Sequence, residues 1–461
     1  MQDLFDRQRA AFAAEPYPDR ERRDARLAAL EHLLRDNADS LSAAISSDFG
    51  HRAVQETQLL ELFPALQAIR HARRHLRRWM RARRHGVTVW FQPGRAEVLP
   101  QPLGVVGIVV PWNYPVSLAI EPLAAALAAG NRAMVKVSEV APATGALLAG
   151  LLARAFRPDE VAAVQGDAEV ARAFVKLPFD HLLFTGSTRN GASVMSAAAE
   201  RLTPVTLELG GKSPAILGPD YPLSHAVSRI LAGKCLNAGQ TCIAPDYVLL
   251  PAARIPDFIE QARREFAACY PDWQRAPDYT AIVNERHFAR LAGYLDEARA
   301  KGARVVPLAE GAPDPATRKF PPTLVLDAGD GLRVMREEIF GPVLPLVPYK
   351  DIGDAIAYVN GRPRPLSLYC FDRDSVRIDR ILRETVSGGV TVNDTLLHYA
   401  QPSLPFGGVG PSGMGNHHGR AGFDTFSNLK GVFRQSRLNG MGLFKPPYGR
   451  RFALLIRRLL A

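Results

Sequence analysis

Cysteine is scarce in this sequence, with four residues among 461. Such a low density excludes a disulfide-rich secreted scaffold and favours a reducing compartment. No C-x-x-C pair is present, and the spacing between Cys235 and Cys242 does not suit a zinc site. We therefore expect neither a metal site nor a disulfide framework.

Long apolar runs are also lacking. No stretch approaches the ~20 consecutive apolar residues that cross a bilayer. The first residues, MQDLFDRQRAAF, are charged from residue 3 and hold no apolar core of a signal peptide. We therefore expect a cytoplasmic protein.

Acidic residues are outnumbered, 46 against 57 Lys and Arg, which gives a formal net charge of +11. Much of the excess lies in RHARRHLRRWMRARRH (70–85), where arginines recur at helical spacing. No zinc-finger, RRM or other nucleic-acid signature accompanies it. We interpret this stripe as a solvated helix face that can also attract anionic ligands, and we expect no nucleic-acid partner.

Short β-branched apolar runs alternate with Ala/Leu-rich runs from about residue 104 onward. This alternation predicts strands at 104–110, 133–137, 161–166 and 181–186, with helices at 117–130 and 142–156. The fold class is therefore α/β, with a doubly wound parallel sheet whose ligands bind beyond the carboxyl ends of its strands. A second α/β region runs from about 208 to 390, as expected of a chain longer than one core.

A hairpin is predicted between the N-terminal helices and the first sheet, because VTVWFQPGRAEVLPQP (87–102) alternates around a Pro-Gly turn. Its free edge is one that a partner subunit could cover.

Polar residues follow several predicted strands. Asn113 lies on a turn in VVPWNYP, where its amide can donate to an oxygen that becomes negatively charged. Lys136 and Glu139 follow the second strand. FTGSTRNG (184–191) combines a strand, a glycine turn and a helix start, which suits a pyrophosphate or is simply a tight turn.

Glu208 and Cys242 are the candidate base and nucleophile. Glu208 lies at an apolar strand end in LELGGKSP, where its pKa would rise toward that of a general base; an ion-paired helix cap is the alternative. Cys242, in NAGQTCIAPDYV, has polar neighbours typical of a reactive thiolate, although a cysteine can also pack as a small hydrophobe. A thiolate that attacks a carbonyl beside a hydride acceptor gives aldehyde oxidation.

Five stretches carry a family resemblance: PWNYP, LELGGKSP, NAGQTCIAPDYV, EEIFGPVLP and LPFGGVGPSGMGNHHG. They resemble, in order, the signature stretches of the NAD(P)-dependent aldehyde dehydrogenase superfamily, class 3-like branch. VNDTLLHYAQPSLPFGGVGPSGMG (392–415) is similar to the bacterial coniferyl-aldehyde dehydrogenases. The resemblance covers nearly the whole chain and implies oxidation of an apolar or aromatic aldehyde with NAD, with NADP as the alternative cofactor.

The resemblance implies roles for individual residues. The catalytic set is Cys242 as nucleophile, Glu208 as base and Asn113 as oxyanion donor. The residues expected to bind the cofactor are Trp112, Lys136, Glu139, Gly186, Ser187, Gly191, Glu338 and Phe340. Those expected to line the substrate funnel are Tyr114, Ile243, His398 and Tyr399. For His417 and His418, a structural or loop-anchoring role is expected.

The resemblance also implies an organisation. An NAD-binding domain comprises 1–86 and 103–207, and a catalytic domain comprises 208–392. A small β oligomerisation arm comprises 87–102 and 393–440, with a strand near 430–437, and would join a homodimer. The tail 441–461 reads as an amphipathic basic helix that docks on the protein's own surface, with weak peripheral membrane contact as the alternative.

Three other functions remain to be weighed: a fatty-aldehyde enzyme with the same mechanism, a cysteine esterase without hydride transfer, and a non-catalytic scaffold.

Overall fold

The computed structural model describes residues 1–460. Its strands, numbered in chain order, are β1 Arg83–His85, β2 Arg95–Pro102, β3 Val105–Val109, β4 Arg132–Lys136, β5 Val161–Val164, β6 His181–Thr185, β7 Val205–Glu208, β8 Pro214–Leu217, β9 Tyr247–Pro251, β10 Arg304–Pro307, β11 Thr323–Leu326, β12 Val343–Tyr349, β13 Ser367–Phe371, β14 Gly389–Val392, β15 Gly413–Met414 and β16 Ser427–Arg434.

The α-helices, likewise in chain order, are α1 Gln2–Ala14, α2 Arg20–Asp36, α3 Ala38–Phe49, α4 Val54–Thr57, α5 Phe63–Trp79, α6 Ser117–Ala129, α7 Pro142–Ala155, α8 Ala168–Phe174, α9 Thr188–Ala199, α10 Leu223–Cys235, α11 Ile255–Cys269, α12 Glu285–Ala300, α13 Arg333–Arg336, α14 Ile352–Asn360, α15 Ser375–Glu384, α16 Gly419–Thr425 and α17 Arg450–Leu460.

The first sheet has six strands in the order β15-β7-β6-β3-β4-β5, parallel except for β15 at its edge. Alternate residues of β3 face opposite helical layers: Val106 and Ile108 pack with α5, α6 and α7, and Val105 and Val109 pack with α1 and α8. Burial on both faces explains the continuous apolar strands and confirms the doubly wound prediction. The edge strand β15 comes from the segment that the sequence placed with the arm.

The second sheet has seven strands in the order β10-β11-β12-β9-β8-β13-β14, parallel except for the edge strand β10. Helices α10 and α11 cover one face, and α14 and α15 pack on the other. The strands β7 and β8 lie in different sheets and are joined by LGGKS, so Glu208 ends the first sheet where the chain crosses to the second.

The arm is an antiparallel sheet in the order β1-β2-β16. The predicted strand at the C-terminal end was correct but begins earlier, at Ser427. The first half of the predicted hairpin was wrong: β1 precedes it, and Val89–Phe91 forms a 3₁₀ turn. Because β2 pairs with β1 on one edge and β16 on the other, residues 87–92 have no edge left on which to pair.

The C-terminal helix α17 has no buried residue, so the expected docking on the protein's own surface was wrong for the residues described. Ala461 of the predicted tail lies outside the described residues. Within residues 1–460 no helix is both long and apolar enough to cross a membrane.

Candidate active site

The loop that carries Cys242 begins where α10 ends. Asn237, Ala238 and Gly239 have φ values of 52°, 48° and 73°, a left-handed run that reverses the chain. A Cβ at Gly239 would stand 2.4 Å from the Gly341 carbonyl oxygen, so only glycine fits there. The loop therefore approaches the EEIFGP segment directly.

Cys242 is partly buried and packs beside an apolar cluster of Ile243, Leu366 and Phe406, which Tyr399 also contacts. Burial raises the pKa of its thiol to about 12, and the nearby Glu338 and Glu208 carboxylates add to the rise. The expectation that polar neighbours would favour a thiolate was therefore wrong. Thr241 and Gln240 are buried and face the protein, so they leave the sulfur in apolar surroundings.

The Asn113 turn is bonded to the Cys242 loop. The Asn113 side-chain amide donates to the Gln240 carbonyl at 3.1 Å, and Tyr114 Oη lies 2.6 Å from Thr241 Oγ1. The structure thus brings together two elements that lie far apart in the chain.

A buried ion pair supports this turn from the N-terminal region. Arg52 Nη1 lies 3.0 Å from Glu61 Oε1 and donates to the Asn113 carbonyl at 3.2 Å. Glu61 Oε2 accepts from the Val116 and Ser117 amides at 2.7 and 3.2 Å, which fixes the start of α6. Glu61 lies in a π-helical turn, Gln58–Leu62, a feature frequent at functional sites. No sequence signal marked these two residues.

Glu208 is 3% exposed, and neither of its carboxylate oxygens has a hydrogen-bond partner among the described residues. Burial raises its pKa well above that of an ordinary carboxyl, as the sequence suggested. His417 Nε2 lies 3.8 Å from Glu208 Oε1, and burial lowers the pKa of this histidine well below its usual value. His417 is therefore a neighbour of the candidate base, which the sequence did not indicate.

A second buried carboxylate, Glu121 on α6, has polar neighbours. Tyr399 Oη donates to Glu121 Oε1 at 3.1 Å, and His418 Nε2 lies 2.8 Å from Glu121 Oε2. Although that N–O distance is short, neither ring nitrogen of His418 makes a well-aligned hydrogen bond among the described residues. Glu121 is the one charge in the apolar run SLAIEPLAAALAAG, a signal visible in the sequence.

The predicted funnel residues divide into two groups. Tyr399 and Ile243 contact the Cys242 cluster, and Tyr114 bonds to the residue before Cys242. His398 differs because Ser367 Oγ and Thr391 Oγ1 bond to its two ring nitrogens at 2.9 and 2.7 Å. It has no free polar atom to offer a ligand, although its ring packs on Phe406.

Lys136 and Glu139 lie at the carboxyl end of β4. Lys136 Nζ is buried, donates to the Val137 and Gly166 carbonyls at 2.7 and 2.8 Å, and lies 3.8 Å from Glu139 Oε2. Burial lowers the Lys136 pKa. The Glu139 carboxylate is exposed and open to a ligand.

The predicted pyrophosphate turn runs into α9. Gly186 directly follows β6, and the Ser187 side chain caps α9 by accepting from the Asn190 amide. Gly191 lies inside α9 and is buried against Leu209. The start of α9 therefore points its dipole at the edge where β3 and β4 also end.

Glu338 faces these elements from the segment between α13 and β12. Its Oε1 is buried without a hydrogen-bond partner among the described residues, and a Cβ added at Gly210 would lie 1.9 Å from its Oε2. Burial raises its pKa to about 8, with Asp246 adding to the rise. A cavity of about 510 Å³ is lined by Thr188, Gly210 and Glu338, together with Lys212, Arg336, Arg362 and Arg364.

Phe340, two residues after Glu338, belongs to an aromatic cluster. The Trp112 and Phe340 rings stand edge to face with centroids 5.3 Å apart, and His287 packs on Trp112 at 4.9 Å. Within residues 1–460 no group of three or more His, Cys, Asp or Glu side chains is arranged to hold a metal ion.

Comparison with known proteins places this geometry in a family. The model of the aldehyde dehydrogenase family matches residues 4–432. A probable coniferyl aldehyde dehydrogenase of Pseudomonas aeruginosa is 54% identical over 460 residues, covering 100% of this chain and 96% of its own.

Two solved structures share the fold. The substrate-bound state of Staphylococcus aureus AldH superposes with a TM-score of 0.94 at 36% identity and covers 99% of both chains. A Mycobacterium tuberculosis aldehyde dehydrogenase complexed with NAD⁺ superposes with a TM-score of 0.84 at 27% identity, covering 95% of this chain and 91% of the other. The chain belongs to the aldehyde dehydrogenase family, whose activity is the oxidation of an aldehyde to the carboxylic acid.

Proposed function

We propose that this protein oxidises an apolar aromatic aldehyde, such as coniferyl aldehyde, to the carboxylic acid with NAD, using Cys242, Asn113 and Glu208. One observation carries the proposal. A thiol, an amide and an unpartnered carboxylate from three separate elements converge beside an apolar cluster that contains Phe406 and Tyr399. The named activity of the Pseudomonas aeruginosa relative supports the aromatic substrate.

Cys242 attacks the aldehyde carbon, and its sulfur forms the new bond of a thiohemiacetal. Since burial keeps the thiol protonated, its proton must leave as the bond forms, and the nearby Glu208 carboxylate is the available acceptor. The oxyanion meets the Asn113 amide. One of its N–H groups is bonded to Gln240, and the second is left for the oxyanion.

When bound, the dinucleotide supplies the hydride acceptor for the next step. Loss of hydride from the thiohemiacetal carbon leaves a thioester on Cys242. Glu208 first releases the thiol proton to solvent and then takes a proton from water, whose oxygen attacks the thioester carbon. The carboxylic acid leaves, and the departing thiolate recovers the proton from Glu208. A buried carboxylate with no partner suits this role, because its basicity is raised and no ion pair offsets it.

The residues present fit a nicotinamide dinucleotide. Lys136 and Glu139 would hold the adenosine ribose. The Gly186–Ser187 turn, with Gly191 behind it, would hold the pyrophosphate. Glu338 would hold the nicotinamide ribose, with Trp112 and Phe340 beside Glu338. The unpartnered Glu338 oxygen in the 510 Å³ cavity supplies an acceptor of the kind that ribose hydroxyls need. We assign residues 1–86 and 103–207 to the cofactor domain and 208–392 to the catalytic domain.

NAD is preferred over NADP in this proposal, because the exposed Glu139 carboxylate accepts from a ribose hydroxyl and repels a phosphate. Steady-state kinetics should show a higher kcat/KM with NAD than with NADP. Glu139→Gln should bring these two kcat/KM values closer together. Equal efficiency of the two cofactors in the wild type would contradict this preference.

The first test is NADH formation with short aliphatic, long aliphatic and aromatic aldehydes. Cys242→Ala should abolish activity, whereas Cys235→Ala, which removes the buried thiol at the end of α10, should keep it. A preference for long aliphatic aldehydes would favour the fatty-aldehyde alternative. Ester cleavage without NADH formation from any aldehyde would favour the esterase.

A homodimer joined by the arm is the proposed assembly. The arm exposes a set of large apolar side chains, namely Val89, Trp90, Phe91, Leu429 and Phe433. Sedimentation should show a dimer that Trp90→Asp weakens, and a monomeric wild type would contradict the proposal.

Peripheral membrane contact through α17 is proposed for the tail. The helix carries four arginines, and no described residue of it is buried. Sedimentation with anionic vesicles should retain the full chain more than a variant ending at Pro447, and neutral vesicles serve as the control. Equal retention of both proteins would remove this contact.

A further inference from the structure

The Tyr399–Glu121–His418 cluster is not used by the mechanism above, yet it adjoins the reacting sulfur. Tyr399 contacts the same apolar cluster as Cys242, and its hydroxyl ends on Glu121. The Tyr399 pKa is raised first by burial and then by the Glu121 and Cys242 side chains.

Placing a carboxylate here is costly for the fold. Glu121 is 5% exposed, and every residue of α6 from Ser117 to Ala129 is buried. A buried charge is retained only where partners or a function compensate for its desolvation. Tyr399 gives one hydrogen bond, and His418 gives a short but poorly aligned contact, so the acceptor capacity of this carboxylate is only partly used.

The backbone at His418 is also held in an unfavourable conformation. Its φ of 79° is one that side chains with a Cβ rarely adopt. His418 is 7% exposed, and both of its ring nitrogens lack well-aligned partners among the described residues. If His418 only anchored its loop, its ring nitrogens would be expected to make hydrogen bonds within the protein.

The surroundings suit an aromatic ring. Tyr399 and His418 pack on Phe406 with centroids 4.9 and 5.5 Å away, and the apolar side chains of Leu397 and Leu404 are exposed nearby in the sequence. An aryl aldehyde whose carbonyl meets Cys242 would lie along this wall, with its polar end toward the cluster.

We propose that Glu121, supported by Tyr399 and His418, is the specificity-determining acceptor for a phenolic hydroxyl on the aromatic ring of the substrate. This inference rests on the proposed function and narrows its substrate class to hydroxyaryl aldehydes. A phenol donates to the carboxylate, whereas a methyl ether in its place leaves the buried carboxylate short of a donor.

The test compares kcat/KM for coniferyl aldehyde and for its phenol methyl ether. The wild type should prefer the phenol by ~10-fold or more, as expected for a hydrogen bond to a charged group. Glu121→Gln should bring the ratio of kcat/KM for the phenol to kcat/KM for its methyl ether close to one. Tyr399→Phe should also lower this ratio, by less. Tyr349→Phe, which deletes a buried hydroxyl bonded to the Leu217 carbonyl, should leave it unchanged.

Two outcomes would overturn the inference alone: a wild-type ratio near one, or a parallel loss of activity toward both aldehydes in Glu121→Gln, which is what a purely structural cluster gives. Failure of the proposed function has a different signature. In that case the wild type forms no NADH from either aromatic aldehyde, while it oxidises aliphatic ones.

Discussion

Glu208 lies near Cys242, and Glu121 is linked to the Cys242 cluster through Tyr399; the structure surrounds these two buried carboxylates differently. Glu208, at the end of β7, has no hydrogen-bond partner among the described residues, and its pKa is raised. Glu121, on α6, meets a tyrosine hydroxyl and an imidazole. A carboxylate without partners is free to take up and release a proton, whereas one with partners is held in place by its hydrogen bonds. The contrast matches the proposed roles of a base and a recognition group.

Replacing Glu208, the proposed base, should have the largest effect on turnover. Glu208→Gln should lower turnover by ~10²- to 10⁴-fold, because water then attacks the thioester without a proton acceptor. Rapid-mixing kinetics should show a slower NADH burst as well, because the Cys242 thiol then lacks its proton acceptor. A burst at the wild-type rate would show that Glu208 acts only after the thioester forms.

A third buried carboxylate, Glu61, sharpens the comparison because it is fully paired. Glu61→Ala should lower the free energy of unfolding by ~3 kcal/mol, since the buried Arg52 guanidinium loses its nearer ion-pair partner and keeps only Glu56 at 3.9 Å. Chemical denaturation measures this loss. Glu208→Gln is the matched control and should not destabilise the protein at neutral pH, because it replaces an unpaired buried carboxyl with a neutral group.

The pH dependence of stability gives a third distinction. The folded protein retains the Glu208 proton to a higher pH than the unfolded chain does, because burial raises the pKa. Stability contributed by this group is therefore full below the ordinary carboxyl pKa and falls as pH rises toward the raised pKa. As pH rises, the wild type should therefore lose unfolding free energy relative to Glu208→Gln. A constant difference would mean that the carboxyl titrates normally.

The smallest effect is expected at an exposed pair. Arg380 and Glu384 pair at 3.0 Å on α15 with about half of each side chain exposed. Arg380→Ala should change the free energy of unfolding by less than ~0.5 kcal/mol, because solvent screens the pair. A larger loss in the same denaturation assay would show that burial does not determine how much these charged groups contribute to stability.

The sequence predicted the parts of the site that local patterns encode. Strand ends and glycine turns identified Asn113, Glu208 and the α9 turn, and apolar periodicity identified the first sheet. These features are short-range, so a single chain segment carries each of them.

Long-range partners could not be predicted in the same way. Arg52 reaches Asn113 from a region with no motif, and His417 reaches Glu208 only because β15 pairs with β7. The pKa of Cys242 also depended on packing: its neighbours in sequence are small and polar, yet tertiary contacts bury the sulfur. Glu121 was visible as a lone charge, but its meaning required the fold.

The pairing of β2 with β16 joins a strand at residues 95–102 to one at residues 427–434. During synthesis, β2 emerges early and must keep one edge open until nearly the whole polypeptide has left the ribosome. The segment that brings β15, His417 and His418 to the two carboxylates also emerges late. The arm sheet and the contacts of these histidines with Glu208 and Glu121 thus form in the same final stage of folding, and chains released early would lack both.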